Sequence, residues 1–159
     1  KKPKKLAKRA NKGRGRSMAE NIRLEIVTPD KAVVSEEVQI VMAPGSLGEF
    51  GVLVGHTPFL TTLKVGIVRY VDTEGQERRV FVSGGFAEAL PDKVTILAES
   101  AERRRDIDLE RAKAALERAQ KRLAEEARKE EVDYTRARAA LERALQRLKV
   151  AESRRREAA

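Results

Sequence analysis

A chain of 159 residues makes one domain or two small ones, and 41 % hydrophobic residues are enough for a core. The absence of cysteine rules out disulfides, thiolate metal sites and a cysteine nucleophile, and no apolar run approaches the roughly 18 residues of a membrane span. The net charge of +9 suggests nucleic-acid binding until it is located: residues 1–17 hold nine Lys/Arg and no acid, so the rest of the chain is neutral.

Lys1 to Ser17 is almost devoid of apolar side chains and is expected to be disordered. Met18-Ala19-Glu20 reads as a native start, which makes residues 1–17 upstream or added sequence. An organellar presequence and a nucleic-acid arm are the other readings. No aromatic residue interleaves the charges to stack on bases.

From Ile22 to Ala98 the apolar residues alternate in short runs. Ile22, Leu24 and Ile26 alternate with Arg23 and Glu25, the pattern of a half-buried strand. Thr28-Pro29-Asp30 is a turn. Val33 to Met42 is a second strand, and Pro44-Gly45-Ser46 and Gly48 then break the chain. Gly66 to Val71 and Arg79 to Ser83 form a hairpin about Thr73-Glu74-Gly75-Gln76. Gly84-Gly85 is a further break before Phe86 to Leu90, and Pro91-Asp92 turns into Lys93 to Ala98. Short strands at this spacing predict an antiparallel sandwich or barrel.

Gly45 to Pro58 is the irregular centre of this part, with four glycines among Leu47, Phe50, Val52 and Leu53. It lacks the Gly-Lys-Ser/Thr of a phosphate loop. Phe50 and its neighbours read as core or as a docking edge. His56, the only histidine, has no Cys or carboxylate cluster beside it for a metal. It also lacks a nucleophile and orienter for base catalysis. Ser83 lacks a G-x-S-x-G setting. No enzyme active site and no metal site are expected.

From Glu102 to Ala151 the period changes. Leu109, Ala112, Leu116, Ala119 and Leu123 form one helical stripe, and Tyr134, Ala137, Leu141, Ala144, Leu148 and Ala151 form another. Alanines let two backbones approach, so the stripes are expected to pair as an antiparallel hairpin turning around Arg128 to Val132. Much of the buried area is alanine, so this packing should be worth only a few kcal/mol. The expected fold class is α+β: a tail over 1–17, an antiparallel β-sandwich over 18–100 and a two-helix hairpin over 101–159.

Four motifs carry a resemblance. They are G-x-L-G-E-F-G-V-L-x-G-H-T-P-F-L at Gly45 to Leu60, V-S-G-G-F-A-E at Val82 to Glu88, D-K-V-T-I-L-A-E at Asp92 to Glu99, and A-E-R-x-x-D-I-D-L-E-R-A at Ala101 to Ala112. Together they resemble the epsilon subunit of bacterial or chloroplast-type F-type ATP synthases, over Ile22 to Glu152. One departure is Val54, where the family usually has proline before Gly-His.

The resemblance implies a non-catalytic subunit in the central stalk of a proton-translocating synthase. It would lie peripherally on the cytoplasmic face of a bacterial inner membrane or the stromal face of a thylakoid. The sandwich would meet the gamma subunit and the c-subunit ring, with Glu49, Phe50 and His56 near the ring. The helices would switch between a folded hairpin and an extended form that enters the alpha/beta hexamer and blocks ATP hydrolysis.

Ile107-Asp108-Leu109-Glu110-Arg111-Ala112 is similar to the I/L-D-x-x-R-A motif of ATP-binding members. The implied site holds Glu102, Ile107, Asp108, Arg111, Ala112, Arg118, Arg143 and Arg147, with ATP as a regulatory ligand that is not hydrolysed. Carboxylates suit the adenine amino group or ribose hydroxyls, and arginines suit phosphates. Arg111 and Arg118 lie seven apart, and Arg143 and Arg147 four apart, so each pair shares a helix face. The plainer reading is an amphipathic surface on which Glu110 makes an ordinary i,i+3 ion pair. Rival functions are a basic nucleic-acid-binding protein and a free-standing coiled-coil adaptor.

Overall fold

The computed structural model describes residues 21–126 and 131–153, with the side chains of residues 126 and 131–133 excepted. The basic tail and most of the turn expected around Arg128 to Val132 lie outside the described residues, although α2 already includes Glu131 and Val132.

Seven strands form one sheet: β1 (Ile22–Val27), β2 (Ala32–Gly45), β3 (Gly48–Val52), β4 (Phe59–Asp72), β5 (Glu77–Ala89), β6 (Lys93–Ala98) and β7 (Ala101–Arg103). Their order is β1-β6-β5-β4-β2-β3, and β1 also pairs with β2, so five strands close into a ring. The alternation read from the sequence is the burial pattern seen. Ile22, Leu24 and Ile26 are fully buried, as are Val38, Val41, Val68, Val82, Val94 and Ile96. These side chains form one core inside the flattened barrel.

The strands depart from expectation in five ways. β1 and β6 run parallel, whereas the other pairings are antiparallel. The two are the ends of the ring, joined through all the intervening strands, so no tight hairpin imposes their direction. The region expected to be irregular contains β3, which folds back on the end of β2 with Val41 opposite Val52 and Gly45 opposite Gly48. β4 and β5 are longer than the runs that signalled them.

β5 also does not stop at Gly84-Gly85 but bends there. These glycines have φ of 83° and 120°. β7 lies beside the first half of β5, at Val80 to Val82, and β6 beside the second half, from Gly85. A Cβ on Gly85 would stand 2.0 Å from the Leu97 carbonyl oxygen, so the bend needs a residue without one. Finally, the segment read as helical begins with β7: Glu102 is on a strand, and a 3-10 turn over Arg104–Asp106 precedes α1.

The helices are α1 (Leu109–Glu126) and α2 (Glu131–Glu152). Four residues link them and they pack on one another, so the chain reverses. Ala112 and Ala119 on α1, and Ala137 and Ala144 on α2, are buried, while the leucines between them are only half-buried. The seam therefore runs along alanines seven apart. α2 is the helix that lies against β4 and β5.

Candidate functional site

The outer face of the sheet explains why α2 docks where it does. On β5, Val80, Phe81, Val82 and Ser83 are buried in succession, which requires cover on both faces. Val80 and Val82 belong to the barrel core; Phe81 does not, although it is fully buried. Its ring points outward, opposite Ile67 on β4, to the face that α2 covers.

Arg147 of α2 places its guanidinium carbon 4.2 Å from the Phe81 ring centroid. Its Nε and Nη2 donate to Glu102 Oε1 on β7 at 2.9 and 2.8 Å. One turn further along α2, Val150 is fully buried. Beside it, the Arg104 Nε donates to the Ala151 carbonyl at 3.2 Å, which satisfies a carbonyl at the helix end. Burying one phenylalanine is worth about 1.5–3 kcal/mol, so this seat rivals the whole alanine seam.

The residues of the implied nucleotide site are distributed around this seat. Glu102 and Arg147 are brought together, but as each other's partners. Asp108 accepts a hydrogen bond from the Arg111 backbone N–H at 3.0 Å, so its carboxylate caps the start of α1. Ala112 is buried in the helix seam. Arg111 and Arg118 are exposed on α1, while Arg143 is half-buried on α2, one turn before Arg147. Ile107 lines a different space, the arginine-walled cleft beyond β7. Glu110 pairs with Lys113 at 2.9 Å, the surface ion pair expected at i,i+3.

At the other end of the barrel, Phe50 and Phe59 meet edge to face at 5.1 Å, and His56 lies 5.2 Å from Phe59. Phe50, Val54 and Phe59 pack on the core, so Phe50 serves as both core and edge. The His56 ring Nδ1 lies 2.8 Å from the Thr57 carbonyl, and Glu49 pairs with Arg69 at 2.5 Å. Beyond them, Leu47 stands fully exposed at the tip of the β2–β3 turn. The exposed Leu47 belongs to the docking-edge alternative, whereas Phe81 escaped the sequence reading, because alternation does not say which face of a strand a later helix will cover.

The two parts match two family models: ATP synthase, Delta/Epsilon chain, beta-sandwich domain over residues 21–104, and ATP synthase, Delta/Epsilon chain, long alpha-helix domain over residues 105–152. A closed β domain carrying a two-helix arm is thus the architecture of a non-catalytic subunit of the ATP synthase central stalk. The chain is 68 % identical over 106 residues to the ATP synthase epsilon chain of Desulfosudis oleivorans, covering 67 % of this chain and 80 % of that one. It is 67 % identical over 110 residues to that of Desulforapulum autotrophicum, covering 69 % and 82 %. It belongs to the ATP synthase epsilon chain family. Among solved structures it resembles a chain of the Euglena gracilis mitochondrial ATP synthase OSCP/F1/c-ring complex, with a TM-score of 0.67, 28 % identity, and 77 % and 76 % of the two chains covered.

Proposed function

We propose that this chain couples the catalytic head to the membrane ring and acts as a releasable brake on ATP hydrolysis. The barrel sits against a gamma subunit and a c-subunit ring, with the β2–β3 turn and the cluster of Glu49, Phe50 and His56 towards the ring. The complex lies on the cytoplasmic face of a bacterial inner membrane, or the stromal face of a thylakoid, and is proton-driven. When the helices leave the barrel they extend into the alpha/beta hexamer and stop hydrolysis.

The observation that carries this reading is the way the arm is attached. Among the described residues α2 is held by the Phe81 ring, the Arg147–Glu102 pair, the buried Val150, the Arg104 bond to the Ala151 carbonyl and an alanine seam, each worth a few kcal/mol at most. Such an arm shifts its population in response to a modest difference in affinity. Exposed arginines along both helices favour acidic surfaces on the catalytic subunits.

ATP is the regulatory ligand of the docked state and is not hydrolysed. Asp108 takes the adenine amino group or a ribose hydroxyl beside Ile107 and Ala112, and Arg111, Arg118, Arg143 and Arg147 take the phosphates. Arg147 keeps three further N–H donors beyond the two that Glu102 occupies. Phosphates gathered from both helices hold the hairpin closed.

Two measurements test these claims. Hydrolysis by the assembled complex should rise several-fold when the chain is shortened to end at Asp106; an unchanged rate removes the brake. Calorimetry of the full chain should show one saturable ATP site that Arg111→Ala with Arg143→Ala abolishes. The basic tail is common to both proteins, so its non-specific binding cancels. Equal binding by parent and variant refutes the nucleotide site.

A further inference from the structure

A cleft of about 1000 Å3 opens where the β4–β5 hairpin, the end of β7, the 3-10 turn and the end of α2 meet. Five arginines and two glutamates line it. It lies across β7 from the Glu102–Arg147 pair. Arg103 is the next residue along the strand and points to the opposite face, where it reaches the Val33 carbonyl at 2.7 Å and Glu36 at 3.5 Å.

Four of the arginines are held by the protein in a consistent way. Arg78 donates through Nε to Asp72 at 2.8 Å, Arg79 through Nε to Glu77 at 2.6 Å, Arg103 through Nε to the Val33 carbonyl, and Arg104 through Nε to the Ala151 carbonyl at 3.2 Å. Arg105 Nε stands 3.8 Å from Asp106, and its side chain is 77 % exposed. A guanidinium anchored through Nε alone is fixed in place and carries four more N–H donors on its outer edge, and Arg103, which also reaches Glu36, keeps three. These cations come from two stretches of chain and line one concave space, where Asp72, Glu77, Glu36 and Asp106 offset part of their charge and Arg104 faces no carboxylate among the described pairs.

We propose that this cleft binds a small polyphosphate anion through arginines that lie outside the I-D-x-x-R-A motif, which lends only Ile107 and Leu109 to its wall, and that the bound anion ties the end of α2 to the barrel. Fixed guanidinium forks match phosphoryl oxygens. Four chain segments surround the space, which suits a compact anion rather than an extended acidic peptide. The anion would touch Arg78 on the barrel and Arg104, the residue that already holds the last turn of α2. Occupancy therefore favours the docked arm and opposes its release.

The probe is inorganic pyrophosphate, titrated by calorimetry into the full chain, with Arg105→Ala and Arg104→Gln/Arg105→Ala as cleft variants and Arg111→Ala/Arg118→Ala as the motif variant. Arg105 is exposed and weakly paired, so its removal leaves the fold intact. One saturable site is expected, weakened at least tenfold in the cleft variants and unchanged in the motif variant. Amide exchange of Leu148 to Ala151 should slow at least threefold on saturation of the parent.

Equal binding by parent and cleft variants overturns the site. So does loss of pyrophosphate binding in the motif variant, which would place the anion in the nucleotide site. Binding of a hexaglutamate peptide with none of pyrophosphate assigns the cleft to a protein partner and also overturns it. Binding without slowed exchange overturns the tie to α2. ATP titrated into the same variants separates this site from the proposed nucleotide site: failure of ATP binding in the motif variant alone leaves the cleft standing.

Discussion

Arg147 sits over the Phe81 ring while it grips Glu102, so one side chain of α2 closes both the apolar and the charged half of its seat on the barrel. The Arg147→Ala variant should loosen α2 by about 1–2 kcal/mol, combining a stacked cation with a half-exposed ion pair. Amide exchange along α2 should accelerate while the core strands keep their protection. Arg147→Lys keeps the charge but not the planar fork that grips Glu102 through two nitrogens, and should recover less than half of the loss. Equal exchange in parent and Arg147→Ala would show that the seat does not hold the arm.

The alanine seam sets the spacing of the helices. Ala144→Leu forces extra volume between the α1 and α2 backbones and should cost about 1–3 kcal/mol of helical stability. Leucine in place of the exposed Ala124, on the outside of α1, should change stability by less than about 0.5 kcal/mol. Thermal melts followed at a helix-sensitive wavelength distinguish the two. A seam that accepts Ala144→Leu without loss is not close-packed.

The bend of β5 makes a sharper demand. Gly85→Ala meets the Leu97 carbonyl and a φ of 120° at once. The backbone term alone is about 1–3 kcal/mol, and the clash adds to it, so the variant should unfold at much lower denaturant or fail to fold. Gly75 has a φ of 81° but open space around it. Gly75→Asn should therefore be tolerated, since asparagine enters the left-handed region more easily than other side-chain-bearing residues. Comparable urea midpoints for the two variants would contradict the close approach at Gly85.

Most of the barrel was legible because alternation is local. Ile22 to Ile26 and Lys93 to Ala98 read as strands from their own residues. What was not legible depends on partners far away in the chain. The parallel pairing of β1 with β6 follows from ring closure, and Gly84-Gly85 has the same composition whether a strand ends or bends there. Glu102 read as the first residue of a helical stretch because its strand is only three residues long and takes its shape from β5. The candidate nucleotide residues were visible as a motif, but the grip of Arg147 on Glu102 was not, because it spans 45 positions.

Asp72 gives a pH dependence with a definite sign. Its Oδ1 accepts from the backbone N–H groups of Gln76 at 2.9 Å and Glu74 at 3.0 Å, and its Oδ2 from Arg78 Nε at 2.8 Å. Chiefly the Gln76 backbone bond, with help from Arg78 and Glu74, holds its pKa below the ordinary 3.8. A depressed folded-state pKa means that Asp72 stabilises the fold above the unfolded value. That contribution is lost as pH falls through the folded value, in the window below about pH 4. Asp72→Ala should cost about 1–3 kcal/mol at neutral pH by leaving these donors without the carboxylate. The stability curve of this variant should fall less steeply in acid. Parallel acid limbs for parent and variant would refute the assignment.

Because β1 pairs with both β2 and β6, the ring of strands completes its own backbone hydrogen bonding without the helices. Detaching α2 uncovers the ring of Phe81 and a strip of side chains, but it breaks no rung of that ring. The backbone pairing of the ring and the seating of α2 are thus mechanically separate. An arm released as proposed would leave the stiffness of the shaft that carries it unchanged.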